Sequence, residues 1–153
     1  MLMKIILFIL SIFLMSFSCE NVSLQDEIKM IEFNSGGMSG YHEQIKISKD
    51  SIEIIIEQRR TEEPTKKHQE KISKEDWSEL IQTIENLNFS EIGSLESPTM
   101  KRAYDGAMHS EITIYTLSNK YVSPSFDDDN PHEKLQPLME AIRELAEKVE
   151  GRL

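Results

Sequence analysis

Three consecutive carboxylates, Asp127, Asp128 and Asp129, stand just ahead of His132 and Glu133 in the stretch FDDDNPHE. Clustered carboxylates can hold a hard divalent cation, which makes Asp127, Asp128 and Asp129 a candidate ligand or cation loop. The spacing departs from the helix–loop–helix calcium motif, where ligands alternate with other residues around an obligatory glycine. Acidic residues ahead of a helix also complement the positive end of its dipole without any ion. The four histidines, His42, His68, His109 and His132, are scattered singly, and none forms a pair at helical zinc spacing. His42, His68 and His109 fall in segments that a sheet could bring together, a point that spacing leaves open.

Two further stretches carry residue types used in chemistry. SGGMSG (residues 35–40) could make a nest of backbone amides for an anion. It has no Walker lysine and opens no helix, so a glycine-rich hairpin loop or bulge is the simpler reading. AYDGAMHSE holds Asp105, His109, Ser110 and Glu111. No nucleophile elbow frames Ser110, and adjacent strand residues point to opposite faces. Asp105 and Gly106 are expected to form a turn. No catalytic set, metal or cofactor is assigned on this basis, and the chain is expected not to be an enzyme.

Cys19 is the single cysteine and closes a distinct segment, MLMKIILFILSIFLMSFSC. Lys4 precedes an apolar run from Ile5 to Phe17, and small residues stand before the cysteine, the anatomy of an export signal. At 1.5 Å per residue the run covers roughly 20 Å, short of the ~30 Å hydrocarbon core of a bilayer. Ser16 and Ser18 satisfy the pattern of ordinary signal cleavage, which would leave a free thiol. A lone exposed thiol is a liability in an oxidising compartment, and one cysteine makes no internal disulfide. The segment resembles a bacterial lipoprotein signal, with Ser16 where the strict pattern has leucine. The resemblance implies a diacylglycerol on the Cys19 sulfur, cleavage before it, and acylation of the new amine, for example by palmitate. Two or three acyl chains, at about 0.8 kcal/mol per buried methylene, anchor a protein stably. The expected organisation is a signal peptide over residues 1–18, lipidated Cys19 and a short tether over 19–27, and one domain over 28–153. The membrane is then a partner through lipidated Cys19, at the outer membrane or the periplasmic face of the cell envelope.

Lysine and arginine number 17 against 27 aspartates and glutamates, a formal net charge of −10. Loss of Lys4 with a signal makes the remainder more acidic still. Such a surface repels phosphate backbones, so nucleic acid is not expected as a partner. Its plain consequence is solubility, and its sharper one is affinity for a basic protein or a cation.

The elements that must position these residues begin with strands. IKMIEF is a short one; YHEQIKIS sets Tyr41, Glu43, Ile45 and Ile47 on one face; IEIIIEQR does the same for Ile52, Ile54 and Ile56. KKHQEKI is a polar strand suited to a sheet edge. Ser73 and Asp76 make a capping-box pattern for a helix whose stripe is Trp77, Leu80, Ile81, Ile84 and Leu87. SEITIYTL and YVSPSF form a second hairpin, with Pro124 marking an edge or a strand end. Asn130 is the expected N-cap and Pro131 the first position of a final helix with an apolar stripe from Leu135 to Val149; Pro137 requires that helix to kink or to begin there. These elements predict an α+β fold: an antiparallel sheet of about five strands, in the order β-β-β-α-β-β-α, with two amphipathic helices packed on one face.

This layout, the export segment, and the DGA and SFDD segments flanking the second hairpin resemble small bacterial lipoproteins with an uncharacterised α+β domain, over roughly residues 33–149. The resemblance supplies no catalytic residue. The expected function is a membrane-anchored, non-enzymatic binding or interaction module with an envelope protein partner. Two alternatives are an inhibitor or immunity-type protein acting on a basic envelope protein, and a weak divalent-cation-binding module built on Asp127, Asp128 and Asp129.

Overall fold

A computed structural model describes residues 27–151. The expected signal peptide, Cys19, most of the tether and residues 152–153 lie outside the described residues.

The chain runs β1 (Ile28–Gly36), β2 (Tyr41–Ser48), β3 (Ser51–Gln58), β4 (Lys66–Lys71), α1 (Lys74–Gln82), β5 (His109–Thr116), β6 (Lys120–Val122), β7 (Phe126–Asp127) and α2 (Gln136–Glu150). Short 3-10 turns occupy Phe89–Ser94, Lys101–Ala103 and Glu133–Leu135. The strands form one antiparallel sheet in the order β4-β3-β2-β1-β5-β6, with β7 also paired to β5.

The mixed α+β class and antiparallel sheet agree with the sequence, but the expected strand count and order do not. The sheet has 7 strands, four before α1 and three after it. One cause is β1, which extends through Gly36 and lies between β2 and β5 in the sheet. The other is Pro124, which has no amide to give to the ladder, so the returning strand splits into β6 and β7. The break is satisfied locally: the Ile112 amide donates to Ser123 Oγ at 3.0 Å, and the Ser123 amide donates to the Ile112 carbonyl at 2.9 Å.

α1 opens as its sequence predicts. Ser73 Oγ accepts from the Asp76 amide at 3.0 Å while the Asp76 carboxylate accepts from the Ser73 amide at 3.0 Å. The second helix differs. Its α-helical turns begin at Gln136 with Pro137 in the first turn, where a missing amide leaves no gap in the ladder. Asn130 is not its cap. The preceding 3-10 turn is capped by His132, whose Nδ1 accepts from the Lys134 amide at 3.2 Å.

Alternation along the strands puts Ile31, Phe33, Ile45, Ile47, Ile52, Ile54, Ile112 and Ile114 on one face, all buried. They pack with Trp77, Leu80 and Ile81 of α1 and with Leu138, Met139, Ile142 and Val149 of α2 in a single core. The opposite face carries Glu32, Asn34, His42, Gln44, Lys46, Glu53, Ile55, Glu111, Thr113 and Tyr115, as the strand register requires. Helices on one side therefore leave a polar sheet face on the other. Ile31→Ala is expected to lower unfolding free energy by roughly 2–5 kcal/mol, as buried isoleucines do when a cavity replaces them. Ile55→Ala, on the polar face, is expected to cost about 1 kcal/mol or less. Urea unfolding of the two variants distinguishes this one-sided core from one shared between both faces.

Candidate functional site

The three aspartates of the candidate cation loop diverge. Asp127 is 2% exposed and holds down the loop before β5. Its carboxylate accepts from Thr99 Oγ1, from the Lys101 amide at 2.7 Å, and from Arg102 through both the amide (3.0 Å) and Nη1 (2.8 Å). Burial pushes its pKa up, but these donors outweigh that and hold the carboxyl well below the ordinary carboxylate range. Asp128 takes a positive φ of 50°, which lets its carboxylate accept from the Met108 amide at 2.9 Å. Asp129 forms a two-point pair with Arg143, Nε and Nη2 each 2.7 Å away. Each carboxylate thus answers a different protein donor, and among the described residues no group of three or more His, Cys, Asp or Glu is placed to hold a metal.

Arg143 also donates to Glu43 at 2.8 Å and stacks over the Phe33 ring, 4.7 Å from its centroid. Desolvation opposes its charge, but the two carboxylates outweigh it and raise its pKa. Arg102, Thr99 and Arg143 escaped the sequence reading. The sequence does carry a signal for Arg143: it lies four residues after Met139 and three before Ala146, inside an apolar stripe where a charge needs a buried partner.

At the far end of β1, Gly36 pairs with His42 on one side and His109 on the other. The two histidines therefore share one row of the polar face, and with Gly37, Met38 and Arg59 they border a shallow cavity of about 280 Å³. His68 does not join them. It lies cross-strand from Ile54, on the helix-covered face. Within the glycine turn, the Gly37 amide donates to the Tyr41 carbonyl and the Gly40 amide to the Gly37 carbonyl, each at 3.1 Å, so neither is free for an anion. Gly40 has φ of 87°, which a side chain there would strain.

The residues of the DGAMHSE stretch separate as well. Ser110 is fully buried and shares a hydrogen bond of 2.8 Å with Ser35 Oγ. Its neighbours His109 and Glu111 lie on the opposite sheet face, and Asp105 is exposed in a turn. A polar cluster that the sequence does not announce sits at the middle of the open face. Glu32, 7% exposed, accepts from Tyr115 Oη and Gln44 Nε2, each at 2.7 Å, and Gln44 also donates to Asn34 at 3.0 Å. The hydrogen bond to Glu32, reinforced by burial, pushes the Tyr115 phenol up to about 12.

A cavity of about 490 Å³ lies between α1 and α2. Leu80, Ala141 and Leu145 form its apolar floor, and Glu79, Glu140 and Glu144 its rim. Lys148 crosses one end to pair with Asp76. That hydrogen bond from Lys148, together with those from Ser73, outweighs burial and lowers the Asp76 carboxyl to about 2.

No family model matches the chain, and no curated protein matches it.

Two outcomes test these anchors. Asp127→Asn leaves the Arg102 guanidinium without its counter-charge, so hydrogen exchange at the Lys101 and Arg102 amides should accelerate while core strand amides stay protected. Exchange that is unchanged at both amides would place the anchor of this loop elsewhere. For Asp76, the folded carboxyl titrates below its ordinary 3.8, so between these values the unfolded chain binds more protons than the folded one. The contribution is therefore complete above the unfolded value and is lost as pH falls toward about 2. The stability gap between the parent chain and Asp76→Asn, read by urea unfolding at several pH values, should narrow over that window.

Proposed function

We propose that this chain is a membrane-anchored, non-enzymatic binding module of the cell envelope, held there by lipid on Cys19, and that the interhelical groove receives a basic segment of an envelope protein. The anchor rests on the lipoprotein-like segment ending at Cys19. No helix among the described residues is long and apolar enough to cross a membrane. The observation that carries the binding site is the pairing of an apolar floor with an acidic rim in the cavity between α1 and α2. Apolar contact supplies affinity for an amphipathic segment, and the carboxylates of Glu79, Glu140 and Glu144 select lysine or arginine along its edges and speed encounter. The formal charge of −10 favours the same class of partner.

The inhibitor or immunity-type reading is a special case of this one, in which the basic segment borders the partner's working cleft. Its distinguishing result is loss of the partner's own activity when the groove is filled.

Crosslinking of the full-length chain in its own cells, followed by purification from membranes, is the direct test. A partner with a basic segment should be recovered, its binding should weaken as salt rises, and it should be lost from a Glu140→Lys, Glu144→Lys double variant and reduced in Cys19→Ala. Equal recovery with the charge-reversed groove would refute the site. Turnover of an envelope substrate, abolished by one polar substitution near Asp105 or His109, would refute the non-enzymatic reading.

A further inference from the structure

We propose that the row His42, Gly36 and His109 is a copper site, with the two imidazoles as nitrogen ligands and the Met38 thioether as a softer third donor. The row is set by the sheet, because Gly36 is the direct partner of both histidines. Two strand spacings separate the histidine backbones by roughly 10 Å, a gap that two inward-turned imidazoles close on one ion. Gly36 keeps that gap empty. A Cβ at this position would lie 3.2 Å from His42 Nδ1, so the ring already leans over the glycine. Neither imidazole is engaged by a hydrogen bond or an ion pair among the described residues, in contrast to His132, which caps a turn, and His68, which lies near Glu70.

The surroundings choose the ion. Met38 is 79% exposed and borders the same cavity. A second thioether is close by: a Cβ on Gly37 would fall 2.5 Å from Met108 Sδ. Imidazole with thioether suits copper, whereas calcium and magnesium require oxygen ligands. Two nearby carboxylates are committed, Glu57 to Arg59 Nε at 2.9 Å and Asp127 to Arg102 at 2.8 Å. The Arg59 charge is answered by Glu57 and so does not repel a cation from the row. An anion is the less favoured occupant, since the Gly37 and Gly40 amides are used within the turn and the chain is strongly acidic.

The test uses the full chain in detergent with Cys19→Ala, which removes a competing thiol. Titration with copper(II), and with copper(I) against a chromogenic chelator, should show one site per chain. His42→Gln and His109→Gln should each weaken binding by roughly tenfold or more, while His132→Gln binds as the parent does. Met38→Leu, on an exposed turn, should weaken copper(I) binding without altering the thermal melt. Absence of binding, or parental affinity in both histidine variants with parental melts, overturns the site. Parental copper(I) affinity in Met38→Leu overturns its assignment to copper.

Discussion

The guanidinium of Arg143 holds three separate parts of the chain in one place. It projects from α2, sits over the Phe33 ring of β1, reaches Glu43 on β2, and takes Asp129 in a two-point pair. A half-buried charge survives only with such company, since an unpaired ion loses its water without recompense. The arrangement is directional in a way that the apolar core is not. Isoleucine against leucine tolerates a helix that slides or rotates by a few degrees; a planar fork matched to a carboxylate does not. Arg143 thus fixes the register of α2 on the sheet and places the 126–130 segment against both.

With α2 fixed, the two sides of the sheet acquire different characters. One is closed by helices over a nearly all-isoleucine surface, where β-branched side chains match the pleated backbone. The other is lined by amides, carboxylates, imidazoles and a phenol, several of them held in place by one another. Glu32 is the clearest case, a nearly buried carboxylate satisfied by a phenol and an amide rather than by a cation. Side chains ordered in advance lose less freedom when a ligand arrives.

Local signals carried much of this into the sequence. The strand alternation of β2 and β3, the capping box at Ser73 and Asp76, and the first part of the stripe, Trp77, Leu80 and Ile81, each depend on neighbours a few residues away and appear in the structure as expected. The helix, however, stops at Gln82 and leaves Ile84 and Leu87 to the segment that follows it. What depends on distant partners did not show. The partners of Asp127 lie 25 to 28 residues earlier, and the Glu43 contact of Arg143 spans 100 residues. The cap of the final turn was misplaced for a related reason: Asn130 has the right chemistry, but its backbone is already engaged with Asp127 in a bridge. The meeting of His42 and His109 is a matter of register, which only the pairing of three strands decides.

The two margins of the sheet limit how anything can attach to it. On one side β4 presents Lys66, Lys67 and Lys71, all exposed, along a six-residue strand. On the other, β6 spans three residues and the line breaks at Pro124. Among the described residues neither margin offers a long run of free backbone groups, so a guest chain has little to zip onto as an added strand. Any contact with another chain then falls to side chains rather than to backbone pairing, which discourages edgewise pairing with copies of itself.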